Sequence, residues 1–417
     1  MNKQHFLKAL GPGLIFAGAS VGVSHLVQAT RAGADYGFTL LGWVILAHVI
    51  KFPFFEYGPR YVTATGEHLL KGYRRMGWGP FGIFVGLSLG TMFIIQGAVT
   101  LVTAGLLTHV LGGGAPMSVV AAILLGGCWF ILTRGHYALL DRSMKGMIVL
   151  LSAVTVVAVA AAVGHARRSS GIPTSSPVVW NLGALSFLLA LMGWMPAPID
   201  ISVWHSFWSA ERRRQTGYRP TLGESLLDFH LGYWGTAVLA VLFLSLGALV
   251  MHGSAEGFAA SAVAFTGQVI ALYTRTLGGW SYPVIVTAAF ITMFSTTLSC
   301  LDAFSRVVEE AWAILRPADE GRREEIYNGW MTVLAVGTWL VITRFLGSLK
   351  ALVDFATILS FLAAPVLAYL NLRAVTGPFM PVEARPSGRL QIFSWMGIAF
   401  LSVFSVVFLL WRFGWSA

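Results

Sequence analysis

Seven ionisable side chains lie inside runs of apolar sequence: His25, Lys51, Glu56, Asp200, His205, Asp302 and Asp354. A charge at a bilayer centre costs at least about 2.5–3.5 kcal/mol on insertion scales, so each is a functional candidate by default. His25 could bind a cation as neutral imidazole or take up a coupling proton; the alternative is a structural histidine donating to a freed backbone carbonyl. Asp200 follows a Pro-rich break. It could supply a carboxylate to a cation or to the amine of an organic solute, or it could cap the helix that starts there. His205 is five residues further on, about 140° away in helical projection, so regular helix does not bring the two side chains onto one ion. Lys51 and Glu56 are separated by Pro53. They read as a proton relay or a charge pair that opens on gating, or as a structural ion pair or a lysine that snorkels. Ser295, Thr296, Thr297 and Ser299 are hydroxyls of a type that suits a hard cation such as sodium, or they permit close helix packing. Asp302 could join them or pair with Arg306 at i+4. Asp354 and Thr357 could face a cavity.

These residues sit in a chain that is 56% hydrophobic and only 11% charged over 417 residues. So few charges exclude a soluble protein of this size. The apolar residues fall into runs of about 20, the length that crosses a bilayer. Eleven spans fit: 12–31, 38–64, 80–110, 117–134, 144–165, 181–208, 225–251, 281–312, 327–346, 351–374 and 390–413, with an extra helix at 256–276 that could lie along the membrane surface. With the N-terminus in the cytoplasm and the C-terminus outside, most of the 28 Lys and Arg fall on the cytoplasmic side, as the positive-inside rule asks. That rule also accounts for the net charge of +10 without nucleic acid. Cys128 and Cys300 lie in apolar runs and form no disulfide framework or thiolate cluster. There is no phosphate-binding Gly-rich loop with its Lys, and nothing reads as catalysis; the expectation is no enzyme.

Two spans are interrupted. The first contains Ser20-Val21-Gly22-Val23-Ser24-His25, and the sixth Met195-Pro196-Ala197-Pro198-Ile199-Asp200. Two prolines two apart cannot sit in an unbroken helix. Breaks at membrane depth are tolerated only where protein or a water-filled cavity satisfies the freed backbone groups. They fall five spans apart, which predicts an inverted repeat, 1–165 against 180–375, with 390–413 appended. A pair of broken helices in corresponding halves points to a substrate site at the midplane between them. The expected fold class is therefore an all-α membrane protein of 11 transmembrane helices in a 5+5 inverted repeat, forming a single transporter domain.

In layout the chain resembles the NRAMP transporters, which have the LeuT-type fold. The resemblance rests on Gly11-Pro12-Gly13 with the following Arg31-Ala32-Gly33-Ala34-Asp35-Tyr36-Gly37-Phe38, on Met195-Pro196 with the later His205-Ser206, and on Ser295-Thr296-Thr297. It implies a secondary transporter, with a substrate site drawn from Gly22, Ser24, His25, Met195, Ala197 and Asp200, and proton release through His205. The chain departs from the family's first-helix DPGN motif. Gly22 stands at the position of its metal-binding Asp and His25 at that of its Asn. In the sixth helix the metal-binding Met position is taken by Met195 or Pro198, depending on which flanking pair is aligned.

Two functions follow. One is proton-coupled uptake of a divalent metal through a rebuilt site in which His25 and Asp200 are the candidate metal ligands. The other is proton- or sodium-coupled transport of a small organic solute, for which the loss of the first-helix Asp and the aromatic Trp194, Trp204 and Trp208 speak. Lys51, Glu56, His205, Thr296, Thr297, Asp302 and Asp354 are the candidate coupling residues. No cofactor is expected beyond a bound metal cation or sodium. The expected partners are the lipid bilayer and a small ion or molecule, with no nucleic acid, in a plasma-membrane monomer or weak oligomer.

Overall fold

A computed structural model describes residues 10–169, 181–253, 259, 261–345 and 348–414. Lys3 and Lys8 of the charge count, and the start of the expected helix at 256, lie outside them. The described residues are almost wholly helical: α1 (Pro12–Ser20), a π-helical turn (Ser24–Ala29) running into α2 (Thr30–Tyr36), α3 (Leu41–Thr65), α4 (Leu69–Met76), α5 (Trp78–Val110), α6 (Met117–Ser169), α7 (Leu182–Trp194), α8 (Ile201–Thr216), α9 (Leu222–Val250), α10 (Ala262–Leu277), α11 (Tyr282–Leu315), α12 (Arg323–Phe345), α13 (Leu349–Thr376) and α14 (Gly388–Gly414).

Seven of these helices are long and apolar enough to cross a membrane, and α1 with the bent segment after it makes an eighth. The protein is an integral membrane protein. Three further expected spans are present as helix but fail that measure for physical reasons. The α3 helix carries Lys51, Glu56 and Arg60. The α7–α8 span is split by its break into halves, neither long and apolar enough alone. The expected spans 117–134 and 144–165 both lie in the long α6; the first passes as Met117–Arg134, whereas the second is the shorter apolar stretch Val149–Gly164. The sequence between them, residues 135–143, contains no proline to end a helix. The short α4 lies between the expected spans 38–64 and 80–110; its start is capped by the His68 side chain, which accepts from the Lys71 N–H.

Local sequence sets the boundaries around the centre. Pro12 sits in the first turn of α1, where its missing N–H costs nothing. Asn181 caps α7 by accepting from the Ala184 N–H. Thr221 and Glu224 form a reciprocal capping box on α9,. The two broken spans occupy the middle of the bundle. The α1 helix packs on α6, α8, α9 and α11, and α7 packs on α13. Gly193 is required at this last contact, because a Cβ there would run into the backbone carbonyl of Thr357. The extra helix, α10, buries Phe265, Val269 and Tyr273 and packs on α5 and α6.

Candidate functional site

Both breaks expected from sequence are present. The first spans residues 21–23 between α1 and the π turn, with a bend of 45°. Gly22 is needed because the Thr296 side chain lies 2.9 Å from where its Cβ would stand. Thr296 Oγ1 donates to the Gly18 carbonyl at 3.2 Å. The fully buried His25 faces oxygen on both sides of its ring. Its Nδ1 lies 2.7 Å from Ser24 Oγ and 3.1 Å from the Ser20 carbonyl, and its Nε2 lies 3.0 Å from the Thr236 carbonyl of α9. Ser24 Oγ donates to the Ser20 carbonyl at 2.6 Å. A neutral ring can donate from Nε2 while Nδ1 accepts the one Ser24 hydroxyl proton, turned away from the Ser20 carbonyl; a charged ring can donate from both nitrogens while Ser24 keeps its bond to Ser20. The cage therefore accommodates His25 with or without a second proton.

The second break runs from Met195 to Asp200, with a cis peptide before Pro196. The backbone carbonyls it frees are not left to solvent. Lys51 reaches across from α3 and donates from Nζ to the carbonyls of Met192 at 2.5 Å, Gly193 at 2.8 Å and Ala197 at 3.4 Å. Three acceptors around one nitrogen are the complement of an ammonium group. Lys51 is 1% exposed, so it does not snorkel, and it does not pair with Glu56. Glu56 instead accepts from Arg60 at 2.6 Å and meets His230 Nε2 at 3.1 Å. A Lys51–Glu56 pair, one of the readings, is thus not formed; the two side chains of α3 turn to different neighbours. Asp200 stands at the start of α8 but makes no side-chain capping bond, and its Oδ1 is buried without a partner.

Between the breaks lies a small cavity of about 20 Å³, room for about one water. Ser20, Ser24, Trp194, Ala197, Trp204 and Thr296 are in its wall. Trp194 donates to Ser360, whereas the Trp204 indole N–H and Ser20 Oγ are buried without partners. Met195 is buried but is not in this wall. No group of three or more His, Cys, Asp or Glu that could hold a metal ion occurs among the described residues.

The remaining candidates lie away from this cavity. His205 is 1% exposed, between the rings of Phe16 and Phe229 at 5.8 Å each, and neither of its nitrogens has a partner. Thr297 faces α5, sharing a 2.7 Å hydrogen bond with Thr103; it does not join Thr296. Ser295 and Ser299 donate to carbonyls of their own helix. Asp302 accepts from Arg306 at 2.9 Å and from Tyr327 at 2.7 Å, the i+4 pairing among its two readings. Asp354 binds Arg31 at 2.7 Å, tying α13 to α2, with Gln28 nearby at 3.4 Å.

Two polar residues that hold this centre are undervalued by the sequence: Asp228, which reads as a less informative charge near one membrane face, and Asn371, which draws no notice. The Asp228 carboxylate accepts from the N–H groups of Gly11 at 3.0 Å and Gly13 at 2.6 Å, anchoring the start of α1. The signal was available: a Gly-Pro-Gly start exposes N–H donors and offers no capping side chain. Asn371 donates to the Phe54 carbonyl and to Ser202 Oγ at 2.8 Å and accepts from Tyr73, joining four helices. An uncharged amide in an apolar run gave no comparable signal.

No protein-family model matches the chain. Over 409 residues it is 38% identical to a protein of Pasteurella multocida (strain Pm70) named Uncharacterized protein PM0681, covering 98% of this chain and 93% of that protein. A crystal structure of the Eremococcus coleocola manganese transporter matches with a TM-score of 0.72 at 13% identity, over 100% of this chain and 90% of that one. Mhp1, a nucleobase-cation-symport-1 family transporter with bromovinylhydantoin bound, matches at 0.62 and 14% identity, over 99% and 95%. MhsT in complex with L-phenylalanine matches at 0.61 and 14% identity, over 97% and 99%. These similarities establish the fold, and it is the LeuT-type fold that the resemblance implied.

Proposed function

The chain belongs to one family with the Pasteurella multocida protein PM0681, and we propose that it is an NRAMP-related secondary transporter that moves a small organic solute bearing hydrogen-bond acceptor oxygens. The carrying observation is the Trp204 indole N–H, buried without a partner in the wall of the cavity between the breaks. An indole nitrogen only donates. It can meet a carboxylate or carbonyl oxygen of a solute, but it offers nothing to a metal cation. The apolar Trp194 and Trp204 suit a carbon skeleton, and Ser20 and Ser24 add hydroxyls.

The substrate site in this reading uses Ser24 and Ala197 of the cavity wall, with Gly22 and His25 next to Ser24 in the first break; Met195 and Asp200 belong to the second break but are not in that wall. The cavity holds about one water here, so solute entry requires the halves of the bundle to part. Residues 1–165 and 180–375 are the two repeats that would rock against each other, with the N-terminus cytoplasmic. His25, in an oxygen cage that serves both of its proton states, and the unpartnered His205 are the proposed stations of a coupling proton. A divalent metal is the second reading, favoured by the free Asp200 Oδ1 and by the likeness to a manganese transporter. It would need Lys51 to leave the helix carbonyls, because an ammonium there repels a divalent ion.

Uptake into proteoliposomes separates the two. Organic acids, amino acids and amides should give saturable uptake and thermal stabilisation, while manganese, iron, magnesium and calcium give neither. Metal flux under a proton gradient with a silent organic screen would reverse the assignment.

A further inference from the structure

The α7 and α8 helices leave carbonyl oxygens at their break, and a chain that transports a neutral or anionic solute has no stated use for them. Met192, Gly193 and Ala197 turn three such oxygens toward one point, and the occupant of that point is the Lys51 nitrogen, at 2.5, 2.8 and 3.4 Å. Asp200 follows in the same break and makes no direct ion pair with Lys51; its Oδ1 is unpartnered. Backbone carbonyls converging on one point are ligands that suit a hard cation. We propose that the break between α7 and α8 is a monovalent-cation site that the chain fills with its own Lys51 ammonium. The lysine is a tethered ion: it reaches the site from α3, 141 residues away from Met192 in the chain. It neutralises the freed oxygens without an ion drawn from solution.

Two consequences distinguish this from a lysine that merely staples α3 to the α7–α8 span. The native protein should be indifferent to sodium, potassium and lithium, because the site is occupied. Removal of the ammonium should leave a vacancy that a free cation can enter. Neither consequence depends on what the protein transports, so the proposal stands or falls separately from the solute assignment.

The test is thermal unfolding of the purified protein in nanodiscs, at constant ionic strength, with choline exchanged stepwise for sodium, potassium or lithium. The native chain should unfold at one temperature throughout. Lys51→Met should unfold roughly 5–10 °C lower in choline and recover at least half of that loss, saturably, in one of the small cations. Lys51→Arg, which keeps the charge, should show no such recovery. Lys51→Ala should recover with a primary alkylammonium such as propylammonium. A saturable cation response in the native chain overturns the proposal, and this arm needs no variant to fold. So does a folded Lys51→Met that no cation stabilises.

Discussion

The two breaks solve one problem by different means. At the first, the partners are neutral and mostly local: Ser24 and His25 belong to the broken segment itself and reach back to the Ser20 carbonyl, with Thr236 and Thr296 as outside contacts. At the second, the carbonyls are met by a charge from a distant helix, and the Asp200 Oδ1 of the same break has no partner. A locally satisfied break can persist while its neighbours move. A break held by Lys51 is tied to the position of α3 relative to α7 and α8. The second break is therefore where any displacement of α3 relative to α7 and α8 meets an electrostatic cost, and the first carries no such charge.

Removing the charge is the harshest way to break this comparison. Deleting one member of a buried charged arrangement costs about 3–5 kcal/mol, since the groups left behind stay buried. Lys51→Ala should therefore fall furthest in thermal stability and folded yield, measured by size exclusion and melting in the same detergent. His25→Ala should lose less, about 1–3 kcal/mol for the oxygens left unpaired, while abolishing solute uptake. If His25→Ala proved the less stable variant, or carried solute at the native rate, the contrast between the breaks would be wrong.

The glycines beside the breaks sharpen the same contrast. A Cβ at Gly193 meets the backbone of Thr357, which cannot swing aside, whereas a Cβ at Gly22 meets the Thr296 side chain, which can change rotamer. Overpacking costs typically about 1–3 kcal/mol. Gly193→Ala should sit at or above the top of that range, and Gly22→Ala nearer its lower end. Thr296→Ser should partly relieve Gly22→Ala. Melting temperatures of the single and double variants would show whether the order holds.

The sequence made the breaks legible because proline and glycine act locally: the Pro196–Pro198 pair and Gly22 place them without knowledge of the rest of the chain. It also marked Lys51, Glu56 and Asp354 as charges needing partners. Which partner each takes was not legible. Lys51 turns to backbone carbonyls of the α7–α8 break and Glu56 to His230 of α9, groups more than a hundred residues away, whereas the Glu56–Arg60 pair is a local i+4 contact. Thr296 and Thr297 are adjacent, yet one meets the first break and the other meets Thr103, a matter of helix rotation that composition does not encode. Asn371 and Asp228 are undervalued for the same reason, since their importance lies in the backbone groups that the fold brings to them.

The smallest expected effect concerns the contact between α2 and α13. Arg31 donates to Asp354 at 2.7 Å and lies over the Phe187 ring at 4.2 Å, and its Asp354 partner is partly exposed. An ion pair with one wet partner contributes about 0–1 kcal/mol and is screened by salt,. Asp354→Asn keeps the size and the capacity to accept from Arg31, so stability should change by no more than about 1 kcal/mol, and by less as salt rises. Lys51, sealed among carbonyls, should show no such salt dependence. If melting in 50 mM and 500 mM choline chloride moved the Asp354→Asn and Lys51→Met differences in parallel, the two charges would be held alike. The distinction between a wet latch on the α2 side of the bundle and a dry one at the second break would then be lost.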